Sequence, residues 1–427
     1  MMTEETLSLF VYFVCWIVFV YIIYRYKGGL LKNLAYFYVM AWLLMYDFLT
    51  PTYGLLNDWL GLFGNDISEY FPKGILLTIL SVAFFGIGYL LTPRKETEFL
   101  VTNESKKISV TYIRLVLGVS IASVILWAAI SGYGIKTLFL VNVFYDTTGG
   151  WERDSYYRFN HLKQIFEFSI PALVMAYASS MRRNEFFIWS IVVVIIMLGF
   201  GFRYRIIILV FALFICHIYL NGVSKKSTLK IAIVLVIFIG SNVLYGNVRG
   251  YVKSISRGIE PAAELSMHGS YEKGPLESVF RYTRNYISNM SLLKHMEENN
   301  VEYDFGESMF LHVFIRVLPK SIFDNETKPF PKSLEESAKS WGSMEGLKAG
   351  EAFTYVLEFY FSFGIIGVII CSTLFGVVVN KITGNISTEK KLIMSAVTTA
   401  SLFHYITRGY LPGYLMSYLY MVLPIIL

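Results

Sequence analysis

Cysteine, histidine and charge are all scarce in this 427-residue chain, and each scarcity excludes something. The three cysteines, Cys15, Cys216 and Cys371, lie far apart, each inside an apolar run. Such spacing supports neither a disulfide framework nor a zinc site, and buried free thiols are expected. The six histidines form no HExxH or HxxxH pair, so no metal centre and no cofactor is expected from them. Asp, Glu, Lys and Arg make up 16% of residues, too few to cover a soluble protein of this size. The 37 basic side chains barely outnumber the 31 acidic ones, and a net charge of +6 does not point to nucleic acid. No Asp-x-Asp pair of the sugar-nucleotide-dependent type occurs, nor any repeat of fixed period or low-complexity tract.

What fills the chain instead is apolar. Hydrophobic residues reach 55% and aromatics 17%, with 31 Tyr and 34 Phe, a composition suited to two membrane–water interfaces. A bilayer core takes about 20 apolar residues per helix. Eleven stretches meet or approach that length: 7–24, 34–56, 73–92, 112–131, 161–180, 186–201, 202–220, 229–247, 352–380, 391–408 and 410–427. The expected fold is an all-α polytopic integral membrane protein of about eleven transmembrane helices. Met1-Met2-Thr3-Glu4-Glu5 lacks the basic start of a cleaved leader, so the first run is expected to remain as a helix. The runs 186–201 and 202–220 are joined by Gly199-Phe200-Gly201-Phe202-Arg203-Tyr204-Arg205. That junction allows either two short helices meeting at a reversal or one broken element.

Lys and Arg in alternate short loops set the expected orientation. Arg25, Lys27 and Lys32 mark the first loop, and Arg94, Lys95, Lys106 and Lys107 the third. Arg182 and Arg183 mark the fifth, Lys225, Lys226 and Lys230 the seventh, and Lys381, Lys390 and Lys391 the ninth. These belong on the cytoplasmic side. The second loop, with Asp58, Asp66 and Glu69 against Lys73, is acidic. The amino terminus then lies outside and the carboxyl terminus inside. The chain divides into helices one to eight over 1–247, a large extracytoplasmic loop over 248–351, and helices nine to eleven over 352–427.

That outer loop carries the candidate chemistry. From Pro275 to about Asn299, Leu276, Val279, Phe280, Tyr282, Tyr286, Ile287, Met290 and Leu293 recur near the helical period. The pattern predicts an amphipathic helix, along the outer leaflet or capping the bundle, with Arg281 and Arg284 one turn apart. Arg316 through Lys332, rich in Pro and Lys, reads as irregular backbone. Segment 132–160, with Trp151, Arg153, Asp154 and Arg158, reads as a lid or interfacial helix. Glu351, Tyr355, Glu358 and Ser362 fall on one face of the ninth helix. A carboxylate at the depth of Glu358 has to face the bundle or a wet cavity. His404 and Arg408, four apart, share a face of the tenth.

The outer side thus collects Arg203, Arg205, Arg249, Arg257, Arg281, Arg284, Arg316 and Arg408 with Glu351, Glu358 and His404. Arginine is always charged and bonds two oxygens at once, which suits a diphosphate. Simpler readings stand beside this one. A single arginine at a membrane end most often snorkels to the headgroups. Glu351 could answer the helix dipole, Glu358 an ion pair, His404 packing, and Asp47 an outer-interface cap before Pro51.

The many spans, the large outer loop and the Gly201-Phe202-Arg203-Tyr204-Arg205 turn form one part of a pattern. The other part is Gly350-Glu351-Ala352 followed by Glu358-Phe359-Tyr360-Phe361-Ser362-Phe363-Gly364-Ile365-Ile366-Gly367. Together they resemble the Wzy-type polymerases of O-antigen and capsular repeat units. The resemblance implies a glycosyltransferase of the bacterial inner membrane with its active site facing the periplasm or exterior. It would move a growing glycan from undecaprenyl diphosphate to the non-reducing end of a new lipid-linked repeat unit. Its partners would be undecaprenyl-diphosphate-linked oligosaccharides, membrane lipid, a chain-length regulator and a flippase. For that reaction Arg203, Arg205 and Arg408 are expected at the diphosphate, where arginines stabilise charge without a metal. Arg249, Arg281, Arg284 and Arg316 would hold donor, acceptor or loop, and Glu351, Glu358 or His404 would supply the general base. An O-antigen ligase and a flippase or transporter without catalysis are the competing readings. The last is disfavoured because no paired halves with interrupted helices appear.

Overall fold

The computed structural model describes residues 3–60, 66–93, 108–130, 160–179, 181–199, 203–222, 275–318, 322–323, 328–342 and 352–427. Among the described residues the regular structure is helical throughout. The helices are α1 (Glu4–Tyr26), α2 (Leu34–Leu56), α3 (Phe71–Leu91), α4 (Val110–Ile130), α5 (Asn160–Ile165), α6 (Ser169–Ala178), α7 (Arg183–Gly199) and α8 (Arg203–Asn221). They continue as α9 (Pro275–Tyr282), α10 (Asn285–Glu298), α11 (His312–Val317), α12 (Lys332–Gly342), α13 (Tyr355–Thr383), α14 (Glu389–Arg408) and α15 (Leu411–Ile426).

Six helices among the described residues are long and apolar enough to cross a membrane: α1, α2, α3 with its preceding turn, α4, α8 and α13. Of the other expected spans, 186–201 and 410–427 form the shorter α7 and α15, and 391–408 forms the less apolar α14. Residues 161–180 are interrupted by a 3-10 turn at Phe166–Phe168. The run 229–247, the segment 132–159 and all of the loop before Pro275 lie outside the described residues. At the Gly-Phe-Arg-Tyr-Arg junction two helices are seen, ending at Gly199 and beginning at Arg203. Cys216 is buried, while Cys15 and Cys371 are half-buried; all three are free thiols.

The chain forms two compact units. The first comprises Met1–Thr97, Thr283–Asn385 and Ser401–Met416; the second comprises Glu98–Tyr282, Ile386–Ala400 and Ser417–Leu427. In the first unit α3 is the central strut, with α1 and α13 both packed along it. Two glycines allow the α3–α13 contact. A Cβ on Gly88 would lie 2.0 Å from the Thr373 carbonyl oxygen, and one on Gly376 would lie 2.2 Å from that of Phe85. Backbones approach this closely only where small residues face them. Ser81 ties the same helices, bonding the Tyr355 hydroxyl at 2.8 Å and the Ser372 hydroxyl at 2.9 Å. Asn380 Nδ2 donates to the Tyr89 carbonyl at 2.7 Å.

α2 opens into a π-helical turn at Met45–Leu49, directly before Pro51, which has no N–H to continue the ladder. The Thr50 hydroxyl donates to the Met45 carbonyl at 2.8 Å in that turn. Asp47 sits inside it, 2% exposed. The expected interfacial cap is therefore corrected: Asp47 is a wall residue of the bundle.

Two further expectations are corrected. The single amphipathic helix at 275–299 is two helices, α9 and α10, broken at Thr283 and Arg284. Moreover α10 is not a surface helix. Tyr286, Ile287, Met290 and Leu293 are buried, and the helix packs on α12 and α3. The ninth apolar run forms the long helix α13 as expected, though with a kink. Phe363 leaves helical geometry and Gly364 takes φ 64°, so α13 kinks there. Before the kink, Tyr355 through Ser362 are all buried; after it, Ile365, Ile366, Ile370, Leu374 and Val378 form an exposed stripe.

In the second unit α6 packs against α4 and α8, and α5 against α4.

Candidate active site

Within the first unit, two asparagines of α10 build a frame. Asn285 Nδ2 donates to the Ala352 carbonyl at 2.9 Å and to the Thr407 carbonyl at 2.6 Å. Asn289 donates from Nδ2 to the Thr354 hydroxyl at 3.0 Å and accepts the Thr354 N–H at 2.9 Å. The strand of chain entering α13 is thus fixed to the end of α14. Gly409 completes the frame with φ 52°, and a Cβ there would stand 2.5 Å from the Thr354 carbonyl carbon. Only glycine fits that conformation and that gap.

The turn beyond Gly409 lies over Glu358. The Leu411 N–H donates to both Glu358 oxygens, at 2.9 and 3.2 Å, and the Tyr405 hydroxyl donates to the same carboxylate. Glu358 is fully buried, so the expectation that it faces the bundle holds in this unit. Next to Leu411, the Tyr410 ring lies under the Arg316 guanidinium, 5.5 Å from centroid to Cζ. Arg316 is half-buried on the last turn of α11, and Lys328 Nζ donates to its carbonyl at 2.8 Å.

His312 lies four residues before Arg316, on the same face of α11. It is buried, and its Nε2 has no hydrogen-bond partner. Burial pushes its imidazole below the ordinary histidine value, against the pull of Glu307 and Asp304 and with the help of Arg316. The ring is therefore neutral at neutral pH. Asp304 shapes the approach to α11: its carboxylate accepts the N–H groups of Gly306 and Ser308, each at 3.0 Å. The Asp304 N–H donates to the Phe361 carbonyl of α13 at 3.2 Å. The site is a corner of three pieces: the 304–316 segment, the buried half of α13, and the Gly409–Leu411 turn.

The other expected residues divide between the units. In the first, Arg408 is exposed at the end of α14, His404 is half-buried with its ring edge-on to Tyr414, and Arg284 is half-buried at the start of α10. In the second, Arg281 pairs with Glu277 at 3.0 Å across one turn of α9. Arg205 does not stand open: its Nε donates to Glu167 at 2.5 Å, and both side chains are buried. The buried Lys163 lies nearby, its ammonium 5.6 Å over the Trp127 ring. The Arg203 side chain, Arg249, Arg257 and Glu351 lie outside the described residues. Sequence reasoning missed His312, Asp304, Tyr410 and the two asparagines. His312 was findable, since it stands four before Arg316 as His404 stands four before Arg408.

Repeated apolar helices make the chain a multi-pass membrane protein, and its first unit holds a polar corner with a guanidinium and a buried imidazole. The chain belongs to the family described as O-antigen polysaccharide polymerase Wzy, which it matches over residues 2–427. No curated protein and no solved structure matches it. Membership makes the chain a polysaccharide polymerase of the membrane and favours that reading over the ligase and the flippase.

Proposed function

We propose that the chain joins undecaprenyl-diphosphate-linked oligosaccharide repeat units into O-antigen or capsular polysaccharide, at the corner of Arg316, His312, Tyr410 and Glu358. The observation that carries this reading is the Arg316 guanidinium held over Tyr410, beside an imidazole with an unused nitrogen. Arg316 would bind the diphosphate oxygens. As the bond from the anomeric carbon to the diphosphate oxygen breaks, the guanidinium takes up the developing negative charge, as a divalent ion would elsewhere. The acceptor hydroxyl gives its proton to His312 Nε2, and its oxygen forms the new glycosidic bond. Arg408, exposed at the same turn, is a second cation for the headgroup. Glu358 serves as a positioning residue: its oxygens hold the Leu411 N–H, and that bond sets the Tyr410 ring beneath Arg316.

In this reading the site faces the periplasm or exterior of the bacterial inner membrane, and the chain crosses that membrane eleven times. A flippase would deliver the repeat units, and a chain-length regulator would set the length of the product.

The test is the glycan ladder of a strain whose own copy is replaced by Arg316→Ala. The expected result is single-repeat lipid-linked units, with the protein present in the membrane at the normal level. Arg316→Lys should keep part of the activity, since it keeps the charge and loses the planar fork. A normal ladder from Arg316→Ala overturns the assignment. Full-length chains stranded on carrier lipid would point to a lost ligase instead.

A further inference from the structure

Beside the polar corner lies a surface that the polymerase reading does not use. The segment leading through α11 has two unlike sides. Ser308, Met309 and His312 are turned inward and buried. By the helical period, Phe310, Leu311, Phe314, Val317 and Leu318 gather on the opposite side. All five are exposed, Phe314 at 68% and Val317 at 57%. A stretch of large side chains this apolar is unusual on a surface that meets water.

Its neighbours say what covers it. The Phe310 ring lies 6.4 Å from that of Phe363, at the kink of α13. Gly306 is pressed between them, since a Cβ there would meet both rings at 2.8 Å. Immediately past the kink begins the exposed stripe of Ile365, Ile366, Ile370, Leu374 and Val378, on a helix long and apolar enough to cross a membrane. The apolar face of α11 therefore adjoins the exposed apolar stripe of α13, with Glu307 exposed beside it. Its rim carries charges of both signs. Lys328 donates to the Arg316 carbonyl and Lys332 to that of Glu302, with Glu302 and Glu307 as the exposed acidic side chains there. Lysines at that edge match the phosphate level of a bilayer, where their stems lie along apolar surface and their heads reach outward.

We propose that the face of α11 formed by Phe310, Leu311, Phe314, Val317 and Leu318 is seated in the acyl chains of the bilayer. The 303–318 segment is then an interfacial segment that holds Arg316 and His312 at headgroup level and shields the buried half of α13 from lipid. Its occupant is bilayer lipid, and the inference stands whether or not the corner polymerises glycans.

The experiment uses the full chain with Cys15, Cys216 and Cys371 replaced by alanine, reconstituted into phosphatidylcholine vesicles. Phe314→Cys or Leu318→Cys carries a polarity-sensitive fluorophore, and brominated acyl chains serve as the quencher. Ile370→Cys on the α13 stripe is the lipid-facing reference, and Glu335→Cys on α12 the water-facing one. The expected result is a blue-shifted emission at positions 314 and 318, with bromine quenching equal to that at Ile370→Cys and several-fold above that at Glu335→Cys. Water-like emission quenched by iodide, as at Glu335→Cys, overturns the proposal. So does quenching lost when undecaprenyl diphosphate is added, which would make the carrier tail the occupant. Shielding from bromine and iodide alike, dependent on protein density, would make it a second copy of the chain and would also overturn it.

Discussion

Arg205 and Glu167 offer a double-mutant cycle whose outcome the structure orders in advance. Their 2.5 Å contact is buried on both sides, at 4% and 1% exposure. Replacing one member leaves the other charge desolvated and without its partner, which costs about 3–5 kcal/mol in buried pairs. At 1.4 kcal/mol per factor of ten, that is a shift of roughly 100-fold or more in the folded-to-unfolded ratio. The two single losses are not equivalent. Removing Glu167 leaves Arg205 and the buried Lys163 as neighbouring cations, whereas removing Arg205 relieves Lys163. Glu167→Leu should therefore be the more damaging single change, and Arg205→Met the milder. The double variant should recover most of the stability, because an apolar pair of similar volume avoids the desolvation. Thermal unfolding of the full chain in detergent, read by a thiol-reactive dye at the buried Cys216 of the same unit, measures all four corners. The reasoning is refuted if Arg205→Met melts like the parent and yet abolishes polymer, for then the guanidinium serves substrate and not Glu167.

Two predictions concern the first unit. Gly376→Val should separate α13 from α3, since the new side chain starts 2.2 Å from the Phe85 carbonyl oxygen; a loss of several kcal/mol is expected, about the overpacking range or above, read as a lower melting midpoint, and an unchanged midpoint contradicts the packing. Acid should also weaken this unit. Burial pulls Glu336 upward, but the bonds from Lys339 and His295 outweigh it and hold the carboxylate below its ordinary value. It contributes stability above the unfolded pKa of about 4.3, which is lost as pH falls through the lower folded value. His312, also depressed, loses its contribution earlier, as pH falls from about 6.5 toward its folded value. The melting midpoint should thus drop in two stages, the first below about pH 6.5 and the second below about pH 4.3, and His312→Gln should remove the first stage; one acid limb unaffected by that change counts against the buried neutral ring.

Apolar periodicity was enough to read the helices, because a run such as 112–131 has no other low-energy state in a bilayer. It returned α1, α3, α4, α8 and the start of α13 within a few residues. It failed where backbone geometry is decided by one residue. The helical pattern runs unbroken past Arg284, but the helix is interrupted there, where Asn285 and Asn289 are anchored to Ala352, Thr354 and Thr407, contacts 65 to 122 residues distant. The kink at Gly364 and the π turn before Pro51 are local in cause, yet a hydropathy window averages over both. The site was half legible. Arg316 and Glu358 stood out as charges in an apolar chain. Their meeting through Tyr410 and Leu411 depends on Gly409 fitting against Thr354, which no spacing rule anticipates.

The burial of Glu358 then becomes intelligible as a consequence of the fold. A fully buried carboxyl group in the first turn of an apolar helix is tolerated only if the chain itself supplies the groups that water would. Here the Leu411 N–H and the Tyr405 hydroxyl do so. The N–H is available because Gly409 breaks the helix two residues earlier and Leu411 begins a new one, so its donor lacks an intrahelical partner. The same break aims Tyr410 at Arg316. One glycine in the left-handed region therefore satisfies a buried carboxyl group and builds the platform for a guanidinium at once. That is why the polar corner forms at the end of α14 and not elsewhere along an otherwise apolar wall.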